Sequence, residues 1–480
     1  MLRTFLDEEN MTLRVGPSPA SLDPIPNTEP PHEQGRVDAI PTSAAQPLVR
    51  RGRTDAFRLG RGLIFILAAT ALDVTNYLDK GSEIRYVILL VPIGAVFLAR
   101  RRGQGFRPLA TSDKFLLALF AIGFTGTMIG TIVLATKSGA RPIFLPMLLA
   151  FLYLGTVEDP TRLEVRSLLR AIAWVGLIYA SLSALTHLST YIPWGPLVKL
   201  AAYRQYKNAT LLYLMMGIAA TMVLRWKLRA AFLIVLGLFI FRAYPSGTAA
   251  LVVLSTLATV FLTRRGRRPM RRWVAAVLVV GAAGLVVLNF GGGLHLTDTY
   301  FSAVGKRDNN GTRLALWQAG IDEFRQSPIS GSWFSGPTVI VTTRPGQRMQ
   351  FQLPFHNDYI LFLVEGGLIG LGLLLAWAIL TELLMLRRYR AYMALGEHSR
   401  AALLRTLLIG FNAFFIAAAF NPLFTGMSSS ATIFSIYGLM MLLGSPASLA
   451  ASGAQAAPTS RSAYRPFRQP LPAGAKPAPE

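Results

Sequence analysis

The sequence predicts an all-α fold, a polytopic transmembrane helical bundle of about twelve spans with one large outer loop containing short helices. Three observations predict it. Of 480 residues, 52% are hydrophobic and only 15% are charged, against roughly a quarter charged in a soluble globular chain. Apolar runs recur at the length of roughly 20 residues that a bilayer core requires. Lys and Arg gather in alternate short loops between those runs, as the positive-inside rule demands.

Taken in order, residues 1–55 are polar and Pro-rich, as in Pro19-Ala-Ser-Leu-Asp-Pro and Pro30-Pro-His. They lack the basic start, apolar core and small-residue cleavage site of a signal peptide, and read as a disordered tail. Residues 56–290 hold nine apolar runs, near 60–78, 84–100, 115–136, 141–157, 168–188, 208–224, 229–244, 247–263 and 272–290. Only Tyr244-Pro-Ser-Gly247 separates the seventh from the eighth, which predicts a tight helical hairpin. A polar loop follows at 291–356, then three more runs within 357–444, at 357–386, 402–420 and 429–444. Residues 445–480 are rich in Ala, Pro and Ser and read as a second disordered tail.

Counting cations orients the bundle. Arg100-Arg-Arg, Arg166 with Arg170, Arg225 with Lys227 and Arg229, six Arg within 264–272, and Arg387 with Arg388 all fall on one side. The opposite short loops hold fewer: Lys80 and Arg85, Lys137 and Arg141, Lys199 with Arg204 and Lys207, and Arg242. The basic side is therefore expected in the cytoplasm with both termini, and 291–356 outside.

The net charge of +24 would suggest nucleic acid on a soluble chain. Here no nucleic-acid-binding module accompanies it, and the clustered cations serve orientation and contact with anionic membrane lipids. With no cysteine there is no disulfide, thiolate nucleophile or Cys-ligated zinc. The sequence has no Walker A motif, no GxGxxG after a strand and no HExxH, and its loops offer no acidic cluster suited to a divalent cation. No cofactor or metal is expected. Any group transfer would need a substrate that arrives already activated, anchored in the membrane.

Within the outer loop, Leu314, Trp317, Ile321 and Phe324 recur at helical spacing, with Thr312 as a plausible N-cap and Arg313 in the first turn. A guanidinium beside free backbone N–H groups makes an anion site; an ordinary solvated Arg on an amphipathic helix fits the spacing as well. Phe355-His356-Asn357-Asp358-Tyr359 opens the tenth run. Asn357 or Asp358 caps that helix, leaving His356 at the membrane face as a general base, a phosphate contact, or simply the polar end of the loop. Glu365 lies about 13 Å further along and must face a cavity or the protein interior. Arg204, Lys207 and Asn208, interleaved with Tyr203 and Tyr206, and Arg242 near Ser246, are outer-side polar sets. They suit an anionic ligand or an ordinary interfacial aromatic and basic belt. Gly366-x-x-x-Gly370 is a weak helix-packing signal.

The ordered set Arg313-x-x-x-Trp317, Ser327-Pro-Ile-Ser-Gly331, His356-Asn-Asp-Tyr-Ile360 and Glu365-Gly-Gly-Leu-Ile-Gly370 resembles the C-terminal signature of the O-antigen ligase and O-antigen polymerase superfamily. That signature spans about 297–370 here. The twelve-span layout with a long loop between spans nine and ten is similar to the ligases. Arg204 to Asn208 sits where the family often has an Arg-to-Asn stretch. Ser246-Gly247 stands where members commonly show Ser-Arg, with Arg242 nearby, and the Gly-rich turn after the loop helix is altered to Gly331-Ser332-Trp333.

The resemblance implies a metal-independent, inverting glycosyltransferase in the bacterial inner membrane, acting at its periplasmic face. The donor would be a glycan on a polyprenyl diphosphate. The acceptor would be lipid A-core in a ligase, or another lipid-linked glycan in an O-antigen or exopolysaccharide polymerase. Arg313 and His356 become the leading catalytic candidates, with Arg204, Lys207 and Arg242 on the diphosphate and Asn357, Asn208 and Glu365 in support. The rival from another class is a twelve-span secondary transporter or exporter. Such proteins often join two six-span halves by a central cytoplasmic loop, whereas here the long loop is external.

Overall fold

The computed structural model describes residues 109–132, 144, 147, 165–188, 192, 207–243, 247–263, 310–335, 339–344, 347–351, 357–420, 423–424 and 427–443. The expected tails, the spans at 60–78, 84–100 and 272–290, and all but two residues of 141–157 lie outside that set. Helices run at Thr111–Ile132 (α1), Val165–Leu188 (α2), Lys207–Val223 (α3), Lys227–Ala243 (α4) and Gly247–Thr263 (α5). The loop contributes Asn310–Gln326 (α6) and strands Val339–Arg344 (β1) and Gln347–Phe351 (β2). Asp358–Ala394 (α7), His398–Ala418 (α8) and Met427–Leu443 (α9) complete the fold.

Helices α1, α2, α7 and α8 are long and apolar enough to cross a membrane, and α3, α5 and α9 contain shorter apolar helical stretches. The chain is thus helical and suited to multiple membrane crossings. The β1–β2 hairpin is antiparallel, with Ile340 opposite Gln350. The expected short helices of this loop lie around Leu314 to Phe324 and no strand was expected beside them; the β-branched run Val339-Ile-Val-Thr-Thr343 favours one.

Where helices meet in lipid, small residues set the distance. A Cβ on Gly176 of α2 would stand 2.7 Å from Gly217 Cα of α3, so these backbones touch. Helix α4 packs on α2 and α3, whereas α5 packs chiefly on α8. The expected hairpin of α4 and α5 is therefore short in its connection, but its two arms have different main partners. Trp377 of α7, fully buried, is surrounded by the rings of Phe411, Phe415, Phe434 and Tyr437 from α8 and α9. Asn412 of α8 donates to Thr259 of α5 at 2.9 Å and to Glu382 of α7 at 3.3 Å, a polar tie across three helices.

Two hydrogen bonds fix which helix ends lie together. Tyr437 of α9 bonds to the Asp113 carboxylate at the start of α1. Tyr392, near the end of α7, donates to the carbonyl of Leu443 that ends α9. The start of α1 and the ends of α7 and α9 share one end of the bundle, which carries Lys114, Arg387, Arg388 and Arg390. Helix α7 was expected to stop near 386; it continues to Ala394 because buried Tyr389 and Tyr392 hold its last turns.

Candidate functional site

The site is built around a break in α7. Gly367 has φ 62° and ψ −160° inside an otherwise helical run. In an unbroken helix Leu368 N–H would bond Val364 O, and Ile369 N–H would bond Glu365 O. Both bonds are exchanged for bonds to the turn that follows α6. Leu368 N–H donates to Pro328 O at 2.9 Å and Ile369 N–H to Ile329 O at 3.1 Å. In return, Val364 O accepts from Ser332 N–H at 3.1 Å and Glu365 O from Phe334 N–H at 2.8 Å. In lipid each unsatisfied backbone group costs several kcal/mol, so the break is stable only with that turn inserted.

The insertion requires glycine on both sides. A Cβ on Gly331, at φ +59°, would stand 2.4 Å from Val364 O. A Cβ on Gly367, at φ +62°, would stand 2.3 Å from Ile329 O. Trp333 and Phe334 are themselves left-handed, at φ 54° and 57°, each costing roughly 1–2 kcal/mol.

What offsets that strain is the seat of Phe334, which is wholly buried. Its ring meets Phe144 edge-on at 5.5 Å and Phe362 at 5.9 Å between centroids. Added Cβ atoms on Gly366 and Gly370 would stand 2.6 and 3.1 Å from the Phe334 ring. On the other side, Gly126 and Gly130 of α1 admit the backbone of Trp333 and Ser335. The Gly366-x-x-x-Gly370 spacing therefore receives an aromatic ring, not the second helix that the pattern suggested.

The start of α7 is fixed as firmly. Asn357 is the N-cap, its side-chain oxygen accepting from Tyr359 N–H at 3.0 Å and Ile360 N–H at 3.2 Å. That decides between the two expected caps. Asp358 instead reaches across the bundle: its Oδ2 accepts from Leu423 N–H at 2.7 Å and Phe424 N–H at 2.8 Å. The carboxylate is 1% exposed, and its Oδ1 has no hydrogen bond among the described residues. Tyr359 donates to Phe415 O at 2.8 Å. Ser429 and Ser430 of α9 return bonds to the carbonyls of Leu423 and Phe424. The residues next to His356 thus join α7, the end of α8 and the start of α9 into one rigid corner.

Of the expected site residues, Glu365 is buried at 1% exposure, at the last turn before the break, in the protein interior as its chemistry required. Arg313 is the fourth residue of α6, which begins at Asn310, two residues before the expected cap Thr312. Lys207 and Asn208 open α3 and Arg242 lies in the last turn of α4. His356, Arg204 and Ser246 lie outside the described residues. Asp358 and the 423–424 turn were missed as a pair, since 65 residues separate Asp358 from Leu423 and no local pattern links them. Among the described residues, no group of three or more His, Asp or Glu converges as a metal would require.

Comparison with known families adds one match. Residues 230–375 fit the family model described as O-Antigen ligase. The matched segment runs from α4 through α6 and the hairpin to the middle of α7, and so contains both partners of the exchanged backbone bonds. The match supports the O-antigen ligase/polymerase superfamily and a glycan-processing function of that kind. No curated protein matches the chain.

Proposed function

Taking residues 230–375 as a region of O-antigen ligase type, we propose that the chain transfers or polymerises a polyprenyl-diphosphate-linked glycan at the periplasmic face of the bacterial inner membrane. The observation that carries this reading is the exchange of backbone bonds between the turn after α6 and the broken helix α7. It makes one rigid unit of two segments from the signature, Ser327 to Gly331 and Glu365 to Gly370. A second anchor, Asn357 and Asp358, stands immediately after His356. Catalytic groups need such support to hold a productive geometry.

In the proposed reaction, an acceptor hydroxyl attacks the anomeric carbon of the donor from the face opposite the diphosphate. The new glycosidic C–O bond forms as the bond from sugar to diphosphate breaks, so the configuration inverts. The polyprenyl diphosphate leaves with the bonding electron pair. His356 takes the hydroxyl proton, or it holds the diphosphate and that proton passes to the departing diphosphate. Arg313, with Arg204, Lys207 and Arg242, neutralises the charge on the leaving group. Asn357 and Asn208 orient the site and Glu365 supports it from the interior. No metal or cofactor takes part in this scheme. The acceptor is lipid A-core for a ligase or a second lipid-linked glycan for a polymerase.

This orientation has twelve spans and both termini in the cytoplasm. It is supported by the separation of Lys114, Arg387, Arg388 and Arg390 at one end of the bundle from Asn357 towards the other. Surface glycans from a deletion strain, resolved on a gel, test the proposal. Loss of all long chains from lipid A-core indicates a ligase, and products of a single repeat indicate a polymerase. An unchanged glycan profile contradicts both.

A further inference from the structure

The turn from α3 to α4 carries a feature that the proposed reaction does not use. Arg229 stacks over the Trp226 ring, with its guanidinium carbon 4.0 Å from the centroid. The same carbon stands 4.8 Å from the centroid of Trp174 on α2. The two indoles meet at 69° and 6.4 Å, so Arg229 is pinned in a corner of two aromatic faces. Stacking of this kind uses the flat faces of a guanidinium and leaves its in-plane N–H groups directed outward. The turn is itself well ordered by backbone bonds, with Arg225 N–H donating to Met222 O at 3.1 Å and Trp226 N–H to Thr221 O at 2.9 Å.

The surroundings grade from basic to apolar. Arg166, Arg170, Trp174 and Ile178 follow one another at four-residue spacing along α2, all exposed. Arg225, Lys227 and Arg229 are exposed on the adjoining turn, and neither α2 nor α4 has an acid in its first turn. Leu228, between Lys227 and Arg229, is 87% exposed, and the exposed Phe232 and Val235 continue its face along α4. On α2 the order is Arg166, Arg170, Trp174 and Ile178, and on α4 the exposed apolar residues Phe232 and Val235 run on from the cations at its start; basic, aromatic and apolar surface side by side match the environments of one leaflet.

We propose that this corner is a binding site for an anionic phospholipid, whose phosphate sits against the outward N–H groups of Arg229 and whose acyl chains lie along Leu228, Phe232 and Ile178. Arg170 and Lys227 flank the headgroup. The site is more selective than a diffuse basic surface because the planar fork of Arg229 is held in one orientation before the lipid arrives, and a bidentate phosphate contact depends on that geometry.

The test is native mass spectrometry of the full-length protein in detergent, titrated with phosphatidylglycerol or phosphatidylcholine. Wild type is expected to retain phosphatidylglycerol roughly tenfold better, the scale of one charge-assisted contact. Arg229→Gln and Arg229→Lys are both expected to lose most of that preference, the second because an ammonium keeps the charge without the fork. Arg390→Gln, an exposed cation elsewhere at the basic end, is expected to keep it. Trp174→Leu removes one wall of the corner at a lipid-facing position and gives the same test if the Arg229 variants do not fold. Equal retention of the two lipids by wild type, or a full preference in Arg229→Lys, overturns the proposal. Neither result bears on glycan transfer.

Discussion

A Cβ on Gly331 would stand 2.6 Å from the amide nitrogen of Gly367, so the turn after α6 and the break in α7 touch backbone to backbone. Both residues are also left-handed, at φ 59° and 62°, where L side chains are strained. Gly331→Ala and Gly367→Ala are each expected to destabilise the protein by about 2 kcal/mol or more and to reduce glycan transfer out of proportion to the protein that remains folded. Thermal unfolding in detergent, measured beside activity per folded molecule, checks this. Wild-type stability and activity in both variants would show that the two segments are not locked together.

Phe334 fills the space left by Gly366 and Gly370. Phe334→Ala should cost about 3–5 kcal/mol, as large-to-small changes in packed interiors do, and Phe334→Leu distinctly less. The unfolding midpoints of the two variants, compared in one detergent, measure the difference.

Asp358 has a different task from its neighbour. Asp358→Ala would leave two buried N–H groups without an acceptor, at about 1–3 kcal/mol each. Asp358→Asn keeps a side-chain oxygen and should retain most of the stability. Hydrogen exchange at Leu423 and Phe424 is the direct measurement: it should accelerate strongly in the alanine variant and modestly in the asparagine one.

Asn357→Ala removes the cap of α7 and is expected to cost roughly 1 kcal/mol. Because the cap adjoins His356, the larger expected effect is on turnover, and Asn357→Asp should restore the stability. Activity and melting temperature of the pair separate the two contributions.

These residues also show what a sequence exposes. A cap at Asn357 or Asp358 was legible because capping is local, requiring one side chain and two amides within three residues, and the structure chose Asn357. Glu365 was legible as interior because a carboxylate in an apolar run has few places to go. The break at Gly367 was not legible: Gly366 and Gly370 fit an ordinary helix-packing stripe, and the bonds that permit the break come from residues some 35 positions earlier. The hairpin was hidden for the opposite reason. Its β-branched run was plain, but it lay within a loop whose stronger signal was the helix around Trp317.

The central claim is glycan transfer from a polyprenyl diphosphate using His356, and it is tested most directly with purified protein and a lipid-linked glycan donor and acceptor. The account predicts release of polyprenyl diphosphate in step with glycan transferred, unchanged by a metal chelator, and lost in His356→Ala and Arg313→Ala proteins that still fold and insert. Undiminished transfer by folded His356→Ala would contradict it.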